Sequence, residues 1–177
     1  MLLQWHQELW LLMRLIPLKA KPQTPTVENR VNPLEEIQQL VAEKNGGDAH
    51  TVLVVRFSLM LFDGLVALHS LDAQARQTLE AAAWLHDIGY AEGYKGHHKA
   101  ALQFILNTPQ LSLDNKQRLV IGSIARYHRK ALPSPSHDHY AALTPVERQV
   151  VCRLASLLRV ADGLDRSHRG RVNGFTI

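Results

Sequence analysis

From Pro33 to Asp162 the apolar residues recur at helical spacing, and each run is bounded by a cap or a breaker. His50, Leu53, Val54, Phe57, Leu61, Leu65 and Leu68 form one stripe near the i, i+3, i+4, i+7 pattern. Leu34, Ile37, Leu40 and Val41 form a shorter one. Leu119, Val120, Ser123, Ile124, Tyr127 and His128 form another, and Val150, Val151, Leu154, Leu157, Leu158 and Ala161 a last. Asn32-Pro33, Asp48, Leu71-Asp72, Ser112 or Asp114, and Thr144-Pro145-Val146-Glu147 are start signals. Gly46-Gly47, Gly89, Pro109, Pro133, Pro135 and Asp162-Gly163 are stops. No convincing strand pattern precedes Val172. Only Arg171–Ile177, with a turn-like Asn173-Gly174 beside β-formers, predicts a short β piece. The expected fold class is therefore all-α: a helical bundle with an N-terminal helical arm and that short β piece.

A chain of 177 residues suffices for one domain with a sizeable core. The net charge of +4 is mild, and its basic clusters lack an aromatic stacking platform, which argues against nucleic acid as partner. No run of about eighteen apolar residues predicts a transmembrane helix. The single cysteine, Cys152, cannot form an internal disulfide, so a reducing, cytoplasmic setting is expected. Residues 1–31 read as an amphipathic arm, with Trp5, Leu9, Leu12, Met13 and Ile16 about one turn apart, followed by a proline-rich linker. Such an arm suits docking on the body of the protein or on a second copy, as a homodimer, with a membrane surface as the further alternative. Residues 32–171 form the domain, and 172–177 begin a C-terminal extension expected to continue past Ile177.

Ala81-Ala82-Ala83-Trp84-Leu85-His86-Asp87-Ile88-Gly89 holds the residues that a plain bundle does not need. A His and an Asp among apolar neighbours at a helix end are costly to bury unless each finds a partner. A divalent cation answers both, because imidazole nitrogen and carboxylate oxygen bind the same metals. His50 lies on a core-facing stripe, and Asp162 stands among Leu158, Val160 and Ala161. Two histidines and two aspartates supply four ligands and leave positions for water and substrate oxygens.

His50, His86-Asp87 and Asp162 on a helical frame resemble the HD superfamily of metal-dependent phosphohydrolases. Further stretches carry the likeness: Leu61-Phe62-Asp63-Gly64-Leu65, Gly96-His97-His98-Lys99, Ile124-Ala125-Arg126-Tyr127-His128-Arg129-Lys130 and Leu158-Arg159-Val160-Ala161-Asp162-Gly163-Leu164-Asp165-Arg166-Ser167. Together they are similar to the C-terminal HD domain of the exopolyphosphatase / guanosine-pentaphosphatase family, over about residues 32 to 171. The resemblance implies an HD-domain helical bundle with His50, His86, Asp87 and Asp162 as metal ligands and Asp87 able to bridge two ions. It implies a second site completed by His128 and by His98 or His97, with His98 preferred. This chain has Ala100 where close relatives often carry a further histidine. Full-length members also carry an actin-like ATPase fold that holds the polyphosphate chemistry. No Gly-rich phosphate loop appears in this sequence, so exopolyphosphatase activity is not implied.

The expected chemistry is hydrolysis of a phosphoester or phosphoanhydride in a phosphorylated small molecule or nucleotide. His86 and Asp87 are the catalytic pair, and one or two ions of Mn, Mg, Fe, Co or Zn activate water. Arg129, Lys95, Arg126, Arg159 and Arg166 are candidate phosphate contacts, since Arg suits bidentate binding of phosphate. Asp63 and Asp165 read as cap or salt-bridge partners, and His6, His69, His137, His139 and His168 as surface residues. Two other readings differ in class: a catalytically silent regulatory module that binds metal or nucleotide, and a di-iron oxygenase.

Overall fold

The structure is a computed structural model that describes residues 33–45, 48–93 and 96–177. The N-terminal arm, with the homodimer expected through it, and Lys95 lie outside the described residues.

Every described element is helical. Pro33 opens α1 (Pro33–Asn45), with Glu35 and Glu36 in its first turn and Lys44 in its last, charges that suit the helix dipole. Asp48 caps α2 (Ala49–Gly64) by accepting from the His50 amide at 2.9 Å. That cap fixes His50 in the first turn. Val54, Phe57, Leu61 and Phe62 continue its buried face.

The α2 stripe stops at Leu65. A short helix, α3 (Val66–His69), turns the chain and ends at Ser70 in the left-handed region, so Leu68 is 57 % exposed rather than part of the core. His69 is buried, not on the surface. Its Nε2 donates to the Phe62 carbonyl at 2.8 Å and its Nδ1 accepts from the Leu71 amide at 3.0 Å. The sequence pattern carried no sign of this staple.

Asp72 caps α4 (Ala73–Leu85), the hub of the bundle, which packs against α1, α2, α6 and α8. Ala75, Ala81, Ala82 and Ala83 are buried along it, and small side chains let four neighbours close on one axis. A 3₁₀ segment, Ile88–Glu92, follows and packs on α5 (His97–Asn107). Gly89 does more than end a helix. A Cβ there would collide with the His97 carbonyl oxygen and stand 2.6 Å from the Ala101 nitrogen. Its missing side chain lets the first turn of α5 rest on the segment after His86-Asp87.

α6 (Asn115–Arg126) starts in a capping box between Asp114 and Gln117, and α8 (Pro145–Leu164) in one between Thr144 and Glu147. A four-residue helix, α7 (Asp138–Ala141), lies between them. The expected β piece is not formed. Among the described residues there is no strand for Arg171–Ile177 to pair with. The segment instead lies along α2, with the Phe175 and Phe57 rings 5.7 Å apart and Ile177 against Gly64. No helix among the described residues is long and apolar enough to cross a membrane.

Candidate metal centre

Five elements bring buried imidazoles and carboxylates to one place at the end of α4. His50 comes from α2, His86 and Asp87 from the end of α4, Asp162 from the last turn of α8, and His128 from just beyond α6. His97, at the start of α5, completes the set, and all six are buried.

Asp87 sits between two groups. Its Oδ2 is 3.4 Å from His86 Nε2 and 3.8 Å from His50 Nε2, which is itself 3.4 Å from Asp162 Oδ1. Its Oδ1 is 3.4 Å from His97 Nε2 and 3.6 Å from His128 Nε2. These separations exceed an ordinary N–H···O hydrogen bond. The three 3.4 Å separations match the spacing of neighbouring ligands around one ion, roughly 3.0–3.5 Å when each stands about 2.1 Å from the metal, and the 3.6 and 3.8 Å pairs lie just beyond it. His50, His86 and Asp162 form one group whose ligand atoms lie within 4.8 Å of one another, and Asp87, His97 and His128 form another.

The ring nitrogens are sorted in the same sense. His86 Nδ1 is bonded to the Ala83 carbonyl at 2.7 Å, His128 Nδ1 to the Ala125 carbonyl at 2.6 Å, and His50 Nδ1 to Asp165 Oδ2 at 3.0 Å. Each contact turns its Nδ1 into the donor and leaves Nε2 with a lone pair. The Nε2 atoms of His50, His86 and His128 are buried without a hydrogen-bond partner. In the neutral imidazole, a buried, unsatisfied lone pair facing carboxylates is unfavourable, and positive charge, whether a bound cation or a proton, relieves it. The donor set thus fits one or two divalent ions.

Charge agrees with geometry. Burial alone would push the His86 imidazole down, but the Asp87 carboxylate reverses this and raises it to about 9. Burial likewise opposes charge on His50, yet Asp162 and Asp165 leave its pKa raised. Asp162 is pulled down to about 2, against burial, by His50, His128 and His86, and Asp87 is also lowered, chiefly by His86. His128 is pushed down to about 3 by burial and by the charge on His86. The carboxylates draw positive charge into the pocket and concentrate it at its centre.

Other expected residues fall elsewhere. Between the paired histidines, His97 and not the preferred His98 faces Asp87. Adjacent helical side chains point about 100° apart, and His98 turns its ring edge-on to His97 at 5.4 Å. Arg126 is buried with its Nη1 unbonded, and Arg129 is half-buried. Arg159 donates to the carbonyls of Tyr127 and Ala131, bracing the turn that carries His128. Arg166 is exposed. Asp63 pairs with Arg76, and Asp165 holds His50. His137 and His139 are half-buried rather than on the surface. His168 is exposed, as expected, yet its ring lies flat on that of His50, with centroids 3.7 Å apart. Nothing in its spacing announced that contact.

A family model described as Ppx/GppA phosphatase, domain III, matches residues 37–175. No match was found among curated proteins.

Proposed function

The chain belongs to the Ppx/GppA phosphatase family through its domain III, and we propose that it is an HD-type, metal-dependent phosphohydrolase acting on a phosphoester or phosphoanhydride, such as a nucleotide. The observation that carries this reading is the convergence of three unbonded Nε2 atoms on the two oxygens of Asp87.

In this reading His50, His86 and Asp162, with Asp87 beside them, would hold one divalent ion, and Asp87, His97 and His128 would hold a second. When bound, such ions lower the pKa of water in the site and neutralise charge on phosphoryl oxygens. The protein's own groups do the rest. Asp165, Ala83 and Ala125 fix three imidazoles in one tautomer, so no reorganisation is needed during reaction. Arg126 and Arg129 offer positive charge beside His128 for the phosphate. The water oxygen bonds to phosphorus while the bond to the leaving oxygen breaks with its electron pair. The water proton is released to solvent or passes to the leaving oxygen.

The test is turnover of a panel of phosphate esters, anhydrides and nucleotides with Mn²⁺, Mg²⁺ or Co²⁺, beside metal analysis of the purified protein. His86→Ala and Asp87→Ala are expected to abolish both turnover and metal retention. Activity that survives both changes removes the assignment. Metal retention without turnover of any phosphate compound would favour the regulatory reading.

A further inference from the structure

His168 is held in a costly conformation. Its φ of +53° lies in the left-handed region, which a residue with a side chain rarely adopts. The turn around it is closed by Asp165. The His168 amide donates to the Asp165 carbonyl at 2.8 Å, and the amides of Arg169 and Gly170 donate to Asp165 Oδ1 at 3.1 and 2.9 Å. The other oxygen of that carboxylate, Oδ2, contacts His50 Nδ1. One buried side chain therefore sets both the His50 ring and the turn that carries His168.

The result is a specific placement. The two rings stack at an interplanar angle of 16°. A ligand nitrogen of His168 falls within 4.8 Å of both a ring nitrogen of His50 and a carboxylate oxygen of Asp87. An apolar side chain would cover His50 as well and need no aimed nitrogen. His50, His86, Asp87, Asp162, His97 and His128 are all buried, whereas His168 is exposed. Rotation about its own side chain can carry it in or out without disturbing the core. A catalytic metal needs such a position, because one coordination place must be surrendered to water or substrate.

We propose that His168 is a displaceable, solvent-side ligand of a divalent cation held at His50 and Asp87, giving way when a phosphoryl oxygen enters. The proposal rests on the metal-dependent reading above. It is tested with the full chain loaded with one equivalent of Co²⁺, followed by X-ray absorption and by titration calorimetry, with orthophosphate as the probe. The unmodified protein should lose about one imidazole from the cobalt shell when orthophosphate is added. His168→Ala should lack that imidazole from the start, show no further loss, and bind Co²⁺ about tenfold more weakly. His168→Gln, which keeps a polar cover over His50, should behave like His168→Ala. Equal imidazole counts and equal affinities in all three proteins overturn the proposal and leave the metal reading intact. Failure of all three to bind Co²⁺ overturns the metal reading and the proposal with it.

Discussion

Gly89→Ala is the sharpest test of how the fold makes its site. The added Cβ would meet backbone, not a movable side chain. It would stand 2.6 Å from the Ala101 nitrogen, about 0.8 Å inside the 3.4 Å at which contact becomes ordinary, and would also collide with the His97 carbonyl. Relief requires α5 to move away from the 3₁₀ segment by a similar distance. Forced repacking of this kind costs about 1–3 kcal/mol. For a chain of this size that is about 2–4 °C in melting temperature per kcal/mol. The same movement draws His97 Nε2 away from Asp87 Oδ1, now 3.4 Å apart. Thermal unfolding should therefore show a lowered Tm, and calorimetry with Mn²⁺ a second binding event weakened more than the first. Gly122→Ala is the control. There the Cβ would come within 2.9 Å of Leu102 Cδ1, the end of a flexible side chain. The gain of about 1 kcal/mol in helix propensity offsets the crowding, so little net change is expected. Equal melting temperatures for Gly89→Ala and the parent would refute the close-approach argument.

Other outcomes follow from the same contacts. Arg126→Met removes a buried guanidinium that no ion pair neutralises among the described residues, so urea unfolding should show unchanged or increased stability. A loss of more than about 2 kcal/mol would mean that the charge is structurally required. His139 is pushed down to about 4 by burial and by Arg126. Its folded pKa lies below the unfolded value, so its neutral form supports the fold fully above about pH 6.5. That support is lost as pH falls towards 4, and His139→Gln should flatten this part of the stability–pH curve measured by urea unfolding. Asp63→Ala breaks an exposed pair with Arg76 at 2.8 and 3.0 Å. Its cost in thermal unfolding should stay below about 1 kcal/mol. Chelation with EDTA should lower Tm and re-addition of Mn²⁺ restore it, since ions that bind only the folded state stabilise it.

The helices were legible because their caps and stripes are local. Asp48, Asp72, Asp114 and Thr144 each cap the helix that the sequence assigns to them. His50, His86, Asp87 and Asp162 were legible because polar residues on apolar faces need a shared partner, and the structure brings them together. What failed to show depends on angles between elements. His97 and His98 differ by one residue, and only the seating of α5 on Gly89 decides which one faces Asp87. Arg159 and Arg126 look alike as basic residues near ligands, but one braces carbonyls and the other is buried with an unbonded nitrogen. His168 was hidden because its reach comes from a left-handed turn, and no sequence period encodes that. The C-terminal residues have β-forming character, yet a strand needs a neighbour, and α2 offers only a helix face.

Asp165 gives the molecule an unusual dependence. Its two oxygens face different clients, a deep imidazole on one side and two consecutive amides of a surface turn on the other. Whatever grips or tugs the outer turn would be felt at a buried ring of the pocket, because the lever between them is a single side chain. A partner that settles on the exposed residues 166–169 could thus tune the pocket without ever entering it.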